Sequence, residues 1–460
     1  MKTLLKGGTI VNAAGSRLAD LLIEDEKIAK IGENLSDPEA TVVNCRGMLL
    51  FPGFIDAHTH FDLDVCNTTT IDNFRSGTLS ALRGGTTMVI DFACPNKGES
   101  LQYGLDLWHK KAAGSSCDYS FHMTIDDWND DIIAELPAMF RQGVTSFKMY
   151  LTYPAMMIGD KQIFKALREL KKYGGIAGVH CENADVIDAL IEEKKAAGEL
   201  SPASHPRTRP SILEAEAIDR LLKMANVAGV PVVIVHLSSK DGLDEVAEAR
   251  ERGQTVYVET CPQYLLLDDS RYDNPNYLES AKFVCAPPLR KKADQEALWE
   301  ALADGRIQTV STDHCSFTLA QKLAGRDDFT KIPGGVPGVE TRGMLLYTYG
   351  VAEKRLTKER MAQVLSEVPA KLYGAFPRKG ILAEGSDADI VVYDPSGSHI
   401  LENAELASLA GYTPFAGFRI DGSIHQVWLR GTLAVEDGLI LSEGKGAFIP
   451  RKTAFGERNS

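Results

Sequence analysis

Eight short segments with β-strand character recur through the middle of this chain, and helical stretches separate several of them. Amphipathic runs at 163–172, 212–228 and 241–252 have the apolar spacing that is typical of helices packed on a sheet. Strands that alternate with helices predict an α/β fold, a (β/α)8 barrel of the TIM type, and a doubly wound open sheet is the alternative. The predicted strands are Phe54–Ala57, Thr86–Asp91, Tyr119–Met123, Thr145–Tyr150, Ala177–His180, Val232–His236, Thr255–Glu259 and Ile307–Ser311.

Both ends of the chain have β character and differ from the middle. Residues 1–51 consist of short apolar pieces around turns, and the segments Ile390–Tyr393 and Val427–Val435 repeat that pattern near the other end. We therefore predict a small β-sandwich domain formed by residues 1–51 and 375–460, with the barrel inserted between them as residues 52–374. The segment after Lys445 is predicted to be an extended C-terminal arm, suited to packing on a neighbouring subunit.

Composition restricts the class of protein and its partners. The chain has 460 residues with ordinary globular composition and a formal net charge of -13, which argues against nucleic acid as a partner. No stretch approaches the ~20 apolar residues of a membrane-spanning helix, so no membrane contact is expected. The 8 cysteines contain no CxxC pair. Scattered thiols in a long chain indicate a reducing compartment, and we expect a cytoplasmic location.

Histidines and an aspartate stand at the ends of several predicted strands. His58 and His60 are two residues apart, so a strand would direct both imidazoles to the same side. His180, His236 and Asp313 each end or follow a later strand. Barrel enzymes place their sites at the carboxyl ends of the strands, so these side chains are expected to meet. Imidazole and carboxylate ligands suit Zn, Mn, Fe or Co.

Lys148 stands inside the apolar strand segment Thr145–Tyr150. A buried, unpaired ammonium is costly, so this lysine requires an explanation. Its head could pair with a carboxylate or reach solvent. A lowered pKa would instead allow the amine to react with carbon dioxide, and the resulting carbamate could bridge two cations.

Several ordered motifs resemble the binuclear amidohydrolases, and further motifs resemble dihydropyrimidinases and hydantoinases within that superfamily. The resemblance covers nearly the whole chain. The first group consists of Pro52–His60, Ser146–Lys148, His180–Asn183, His236–Ser238 and Thr312–Cys315. The second group consists of Gly84–Thr87, Leu151–Tyr153, Glu259–Leu265, Pro287–Arg290 and Gly385–Asp389.

The resemblance implies two divalent metal ions, zinc first, and a role for each matching residue. His58 and His60 would bind the buried ion, and His180 and His236 the exposed ion. A carbamate on Lys148 would bridge the two ions. Asp313 would bind the buried ion and act as general base and acid, while the Tyr153 hydroxyl would donate to the developing oxyanion.

Two positions depart from the family pattern. Ala286 stands where relatives usually have serine, and Gly334 where they usually have asparagine. In the family these positions bind the substrate ring largely through backbone groups, which survive a change of side chain. The ring contacts of Ala286 and Gly334 are therefore expected to persist, although glycine gives the second loop more conformational freedom.

The resemblance implies hydrolytic opening of cyclic ureides, dihydropyrimidines and 5-substituted hydantoins, to N-carbamoyl amino acids. Asp62 replaces the arginine that dihydroorotases usually have, which argues against an anionic substrate. An allantoinase-like or other cyclic amidase, or a non-catalytic scaffold relative, are the alternatives. The loops with Leu63, Val65, Leu151, Met156 and Met157 either accept a 5-substituent or simply pack on each other. Family members are commonly homotetramers.

Overall fold

The structure is a computed structural model that describes residues 2–455. Its strands fall into a barrel, a separate sheet and one two-stranded hairpin. In chain order they are β1 (Lys2–Asn12), β2 (Gly15–Glu24), β3 (Lys27–Gly32), β4 (Thr41–Asn44), β5 (Leu49–Pro52), β6 (Phe54–Thr59), β7 (Asp64–Val65), β8 (Thr68–Thr69), β9 (Thr86–Ala93), β10 (Asp118–Thr124), β11 (Ser146–Tyr150), β12 (Ile176–His180), β13 (Val232–Ile234), β14 (Val256–Thr260), β15 (Thr309–Val310), β16 (Ile390–Ile400), β17 (Arg419–Leu429), β18 (Thr432–Glu436) and β19 (Leu439–Ile440).

The α-helices lie mainly between the barrel strands. None of those within residues 2–455 is both long enough and apolar enough to cross a bilayer. In chain order they are α1 (Phe74–Arg83), α2 (Leu101–Lys111), α3 (Asp130–Arg141), α4 (Asp160–Lys172), α5 (Ala184–Ala196), α6 (Ser204–Arg207), α7 (Ser211–Ala228), α8 (Lys240–Glu251), α9 (Pro262–Leu266), α10 (Tyr277–Ala281), α11 (Lys292–Asp304), α12 (Leu319–Lys322), α13 (Arg342–Leu346), α14 (Lys358–Ala362) and α15 (Val368–Leu372).

The barrel is a parallel sheet in which neighbours in space follow the order of the chain, from β6 through β9 to β15. Every predicted barrel strand overlaps one of these strands, and the predicted barrel is confirmed. A bridge between Thr59 and His314 connects the first and last strands. The fully buried Arg342 guanidinium also joins them, because it donates to the carbonyl oxygens of Ile55 and Val310 at 2.8 and 2.9 Å.

Both chain ends contribute to the second sheet, as the sequence predicted. Its strand order is β19-β18-β17-β16-β5-β1-β2-β3, and β4 pairs with β1. β16 runs antiparallel to β5 with Ile390 opposite Pro52, so the last strand before the barrel pairs with the first strand after it. Leu5, Leu50 and Val392 belong to the apolar core of this small domain. We keep 1–51, 52–374 and 375–460 as proposed domain limits.

The C-terminal arm packs on the barrel of its own chain, whereas the sequence suggested a neighbouring subunit. The backbone N–H groups of Tyr119 and Ile449 bond to Ala447 O and Tyr119 O at 3.0 and 2.8 Å. The buried Arg451 then donates to the hydroxyls of Ser120 and Ser146, both at 2.8 Å. Backbone pairing with β10 and burial of this guanidinium therefore account for the position of the arm.

Candidate metal centre

A cavity of about 420 Å³ lies at the carboxyl ends of the barrel strands. All nine residues that the sequence predicted for the site line it. They are His58, His60, Lys148, Tyr153, His180, His236, Ala286, Asp313 and Gly334.

The imidazole motifs combine a strand end with the start of a helix. His180 is the last residue of β12, and the Asn183 side chain caps α5 by accepting from the Val186 N–H. His236 follows β13, and Ser239 caps α8 in the same way. Each histidine therefore lies between the end of its strand and the capped first turn of the following helix, and both line the cavity.

Four imidazoles and the Asp313 carboxylate form one continuous cluster. The Nε2 atoms of His58 and His60 lie 3.2 and 3.1 Å from Asp313 Oδ1. The ring of His236 lies 4.5 Å from that of His180 and 5.2 Å from that of His58, between ring centroids. One ligand atom each from His58, His236 and Asp313 falls within 4.8 Å of the others. This spacing suits coordination of a metal ion.

Several ring nitrogens at this centre lack a hydrogen-bond partner in the described part of the chain. His58 Nε2, His60 Nδ1 and His236 Nδ1 are buried and form no hydrogen bond, although His58 Nε2 lies 3.2 Å from Asp313 Oδ1. Burial without a partner costs free energy, so such atoms need a ligand that the protein itself does not provide. Neutral imidazole nitrogens are common metal ligands, and the donor set therefore fits divalent cations.

Two glutamates that the sequence analysis did not assign orient these imidazoles. Glu259 Oε1 lies 2.6 Å from His58 Nδ1, and Glu182 Oε2 lies 2.7 Å from His180 Nε2. Each contact fixes a tautomer and leaves the other ring nitrogen free toward the cavity. Burial raises the pKa of Glu259. Burial also opposes charge on Glu182, but Arg209 and His180 outweigh it and lower its pKa.

A signal for both glutamates was present in the sequence. Glu259 ends a predicted apolar strand, and Glu182 follows His180 by two residues. A carboxylate at either position cannot contribute to an apolar core, so it could have been assigned as a hydrogen-bond partner of a nearby histidine. The sequence could not identify which histidine Glu259 contacts, because that histidine belongs to a different strand.

Lys148 is buried at the centre of the site, and no carboxylate between residues 2 and 455 forms an ion pair with it. Its Nζ lies 5.0 Å from the ring centroids of both Phe92 and Tyr150. Burial lowers the pKa of the amine, against the opposing charges of Asp313 and Glu259. The structure thus excludes the two ordinary explanations for this lysine, a paired head and a solvent-exposed head.

Three site residues adopt a left-handed backbone conformation that is unusual without glycine. The φ angles are 67° at Tyr153, 40° at His236 and 53° at Asp313. Such conformations persist where the surroundings impose them, and they concentrate at functional sites.

Burial raises the pKa of Tyr153, which keeps its hydroxyl protonated. Burial opposes charge on Asp313, but its interactions with His58 and His60 lower its pKa to about 2.

The wall of the cavity is mostly apolar. Leu63, Val65 and Met156 from the two predicted loops line it, while Leu151 and Met157 lie outside the lining. Phe329 and Ile332, which the sequence did not single out, add to the apolar surface. A wall of this kind suits a neutral organic ligand.

The barrel and this constellation of ligands define a metal-dependent amidohydrolase. The amidohydrolase family model matches residues 49–434 of the chain. The D-hydantoinase of Geobacillus stearothermophilus is 42% identical over 456 residues, 98% of this chain and 97% of that protein. The D-phenylhydantoinase of Escherichia coli strain SE11 is 42% identical over 460 residues, 98% of each chain.

A solved structure agrees with these sequence relatives. The crystal structure of dihydropyrimidinase from Brevibacillus agri NCHU1002 matches with a TM-score of 0.97 at 40% identity, covering 98% of this chain and 99% of that one. The chain belongs to the hydantoinase and dihydropyrimidinase family of cyclic-amide hydrolases. The resemblance inferred from the motifs is thereby confirmed.

Proposed function

We propose that this chain opens cyclic ureides, dihydropyrimidines and 5-substituted hydantoins, by hydrolysis to N-carbamoyl amino acids. The observation that carries the proposal is the group of buried imidazole nitrogens near Asp313 that form no hydrogen bond, in residues that line a largely apolar cavity. The names of the relatives support the substrate class, since they are called D-hydantoinase and D-phenylhydantoinase.

Each ligand in the proposal is a residue of this cavity. His58 and His60 would hold one divalent ion together with Asp313, and His180 and His236 would hold the other. Lys148, as a carbamate, would contribute to both. Zinc is the first choice of metal, with Mn, Fe or Co as alternatives.

When bound, two divalent cations supply the Lewis acidity that generates a nucleophile from water near neutral pH and polarises a carbonyl group. Asp313 accepts the proton of the attacking water and transfers it to the ureide nitrogen that leaves the ring. The low pKa of Asp313 keeps it ionised before the attack. The Tyr153 hydroxyl donates a hydrogen bond to the carbonyl oxygen as it gains charge.

Ala286 and Gly334 hold the ring through their backbone in this proposal. Within the described residues, neither the N–H nor the C=O of either residue bonds to another protein group. Leu63, Val65 and Met156 then contact the 5-substituent.

Location and assembly belong to the same proposal. All eight cysteines are free, which supports a cytoplasmic location. We also propose a homotetramer, and light scattering would then give four times the chain mass of 50.2 kDa.

The test is to purify the protein with divalent metal and bicarbonate and to follow ring opening of dihydrouracil, hydantoin, 5-phenylhydantoin, allantoin and dihydroorotate. We expect activity on the first three. Lys148→Ala should reduce it by more than about a hundredfold, because that residue contributes to both ions. Lys165→Ala, which removes an exposed lysine of α4, is the matched control. Activity on allantoin alone, or metal-loaded protein without activity on any of the five, would contradict the proposed substrates.

A further inference from the structure

Lys322 is a fully buried lysine that the proposed mechanism does not use. It ends the short helix α12, and its Nζ donates to three backbone carbonyl oxygens. The distances are 2.9 Å to Val284 O, 2.6 Å to Pro333 O and 2.8 Å to Gly335 O. No carboxylate within residues 2–455 forms an ion pair with this ammonium. An ammonium has three donors, and the three carbonyls use all of them.

The three carbonyls belong to the two segments that carry the ring-binding positions. Val284 lies two residues before Ala286, and Pro333 and Gly335 flank Gly334. The Gly335 N–H also bonds to Val284 O at 2.9 Å, so the segments contact each other directly. Lys322 therefore joins both sides of the part of the cavity that would hold the ring.

The orientation of the Pro333–Gly334 peptide group follows from this contact. In a trans peptide the C=O and the following N–H point in opposite directions. Because Pro333 O points at Lys322, the Gly334 N–H points away from it. Gly334 lines the cavity, and its N–H remains available to a ligand there.

Neighbouring carbonyls on the other segment are held in the same way. His205 Nε2 lies 2.8 Å from Cys285 O, and the Tyr264 hydroxyl donates to Pro287 O at 2.8 Å. Ala286 lies between these two fixed carbonyls, and its own backbone groups have no partner among the residues described. At both proposed ring-binding positions, the backbone groups of the residue itself form no hydrogen bond, while the carbonyls of its two neighbours are held by hydrogen bonds.

We propose that Lys322 is a positioning residue for the substrate ring: its ammonium fixes the segments at Ala286 and Gly334 so that their free backbone groups meet the ureide. Charge-assisted hydrogen bonds to three carbonyls hold the peptide planes more firmly than neutral contacts do. Peptide groups held in this way bind the substrate ring in one pose, but they do not take part in breaking the ring amide bond. The ring is common to all the proposed substrates, so the effect does not depend on the 5-substituent.

The experiment compares Lys322→Met and Lys322→Gln with Lys331→Met, a control that removes an exposed lysine from the same segment. Metal content is measured first, then kcat and KM for hydantoin and 5-phenylhydantoin. With metal content unchanged, Lys322→Met should lower kcat/KM by about tenfold or more, mainly through KM and by a similar factor for both substrates. Lys322→Gln retains two N–H donors and should have a smaller effect.

Hydrogen exchange of segments 283–287 and 332–336 provides a readout that needs no substrate. Lys322→Met should accelerate exchange there and leave the barrel strands unchanged. The kinetic measurement rests on the proposed function, whereas the exchange measurement does not. Hydrogen exchange therefore tests the inference even if the unaltered protein is inactive on both hydantoins. Unchanged exchange, an unchanged KM, or a loss confined to one substrate would overturn the inference. Failure of both Lys322 variants to accumulate as folded, metal-loaded protein would also overturn it, because the role would then be general stability.

Discussion

Carboxylates behind the imidazoles determine which ring nitrogen faces the cavity. Glu259 bonds to His58 Nδ1 and also accepts from the backbone N–H of His236 at 3.2 Å, so one buried group contacts two proposed ligands from different strands. Glu182 connects His180 to Arg209, whose guanidinium lies 2.7 Å from the same carboxylate oxygen and 5.6 Å from the ring centroid of Tyr153. Tyr153 and the imidazoles of the proposed metal centre thus share supporting contacts.

Glu259→Gln tests the orienting role of this carboxylate. The amide is close in shape but can donate to His58 Nδ1, which would place the imidazole proton on Nε2 and block it as a ligand. We expect metal affinity and kcat/KM to fall by about 10–100-fold with the fold retained. Metal titration and steady-state kinetics measure this, with Glu300→Gln, which alters an exposed residue of α11, as control. An effect no larger than that of the control would mean that the carboxylate does not fix the tautomer.

Gly334→Asn introduces the residue that the family resemblance led us to expect at this position. A Cβ on Gly334 would meet no atom within 4 Å, so the side chain can be accommodated. We expect kcat/KM for hydantoin to stay within about tenfold, roughly 1.4 kcal/mol. The adjacent Gly335→Ala is the contrasting variant, because its φ is +150° and its Cβ would clash with Cys315 O. A hundredfold effect of the first variant would show that the loop is used differently.

Periodicity and motif position predicted each barrel strand, because both are local properties of the sequence. The boundaries were less accurate where the backbone turns early: β13 stops at Ile234 and β15 contains only Thr309–Val310. The histidines and Asp313 of the proposed metal site could be selected from the sequence because they lie at or just after the ends of predicted strands, and Lys148 because it is a charged residue inside an apolar strand. Contacts between distant segments, such as that of Lys322 with Val284, leave no periodic signal and required the structure.

The segment between β11 and α4 carries Tyr153 and Met156 and is held from outside by one lysine. Lys97, from the connection after β9, donates to Pro154 O at 2.8 Å and Met157 O at 3.2 Å. These bonds restrain the segment from a neighbouring barrel loop. Its conformation therefore depends on an element that does not itself line the cavity.

Lys97→Met removes that restraint without touching the cavity lining. A solvent-accessible contact of this kind contributes about 1 kcal/mol, so kcat/KM should fall by about fivefold. We expect a larger loss for 5-phenylhydantoin than for hydantoin, because Met156 faces the substituent in the proposed pose. Parallel kinetics on both substrates measure it, with Lys110→Met on α2 as control. Equal kcat/KM values for Lys97→Met and Lys110→Met would show that Lys97 does not restrain the segment.

Contacts between the small domain and the barrel involve buried charge. Asp118, Asp387 and Asp389 bring ligand atoms together in a second group that could hold a metal ion by geometry alone. The Lys379 ammonium already occupies their centre, at 2.5, 2.9 and 2.5 Å from the three carboxylates. Asp118 starts β10 of the barrel while Asp389 precedes β16, so this cluster joins the two domains.

Arg451→Met tests how far the C-terminal arm stabilises the whole molecule. The guanidinium donates to two serine hydroxyls and to the carbonyls of Phe121 and Tyr373 inside the amino-terminal end of the barrel. Loss of these bonds leaves buried acceptors unpaired, and we expect the free energy of unfolding to drop by about 3 kcal/mol. Thermal or denaturant unfolding measures it. Lys452→Met, with an exposed side chain, should change it by less than about 0.5 kcal/mol.

The pairing of β5 with β16 also has a consequence for synthesis on the ribosome. Pro52 has emerged long before its partner Ile390, and at about 5–20 residues per second the wait is roughly 20–70 s. During that interval the nascent small domain exposes an unpaired strand edge, which can associate with other chains. A chaperone that shields strand edges would therefore act on the first fifty or so residues, while the barrel is still being translated.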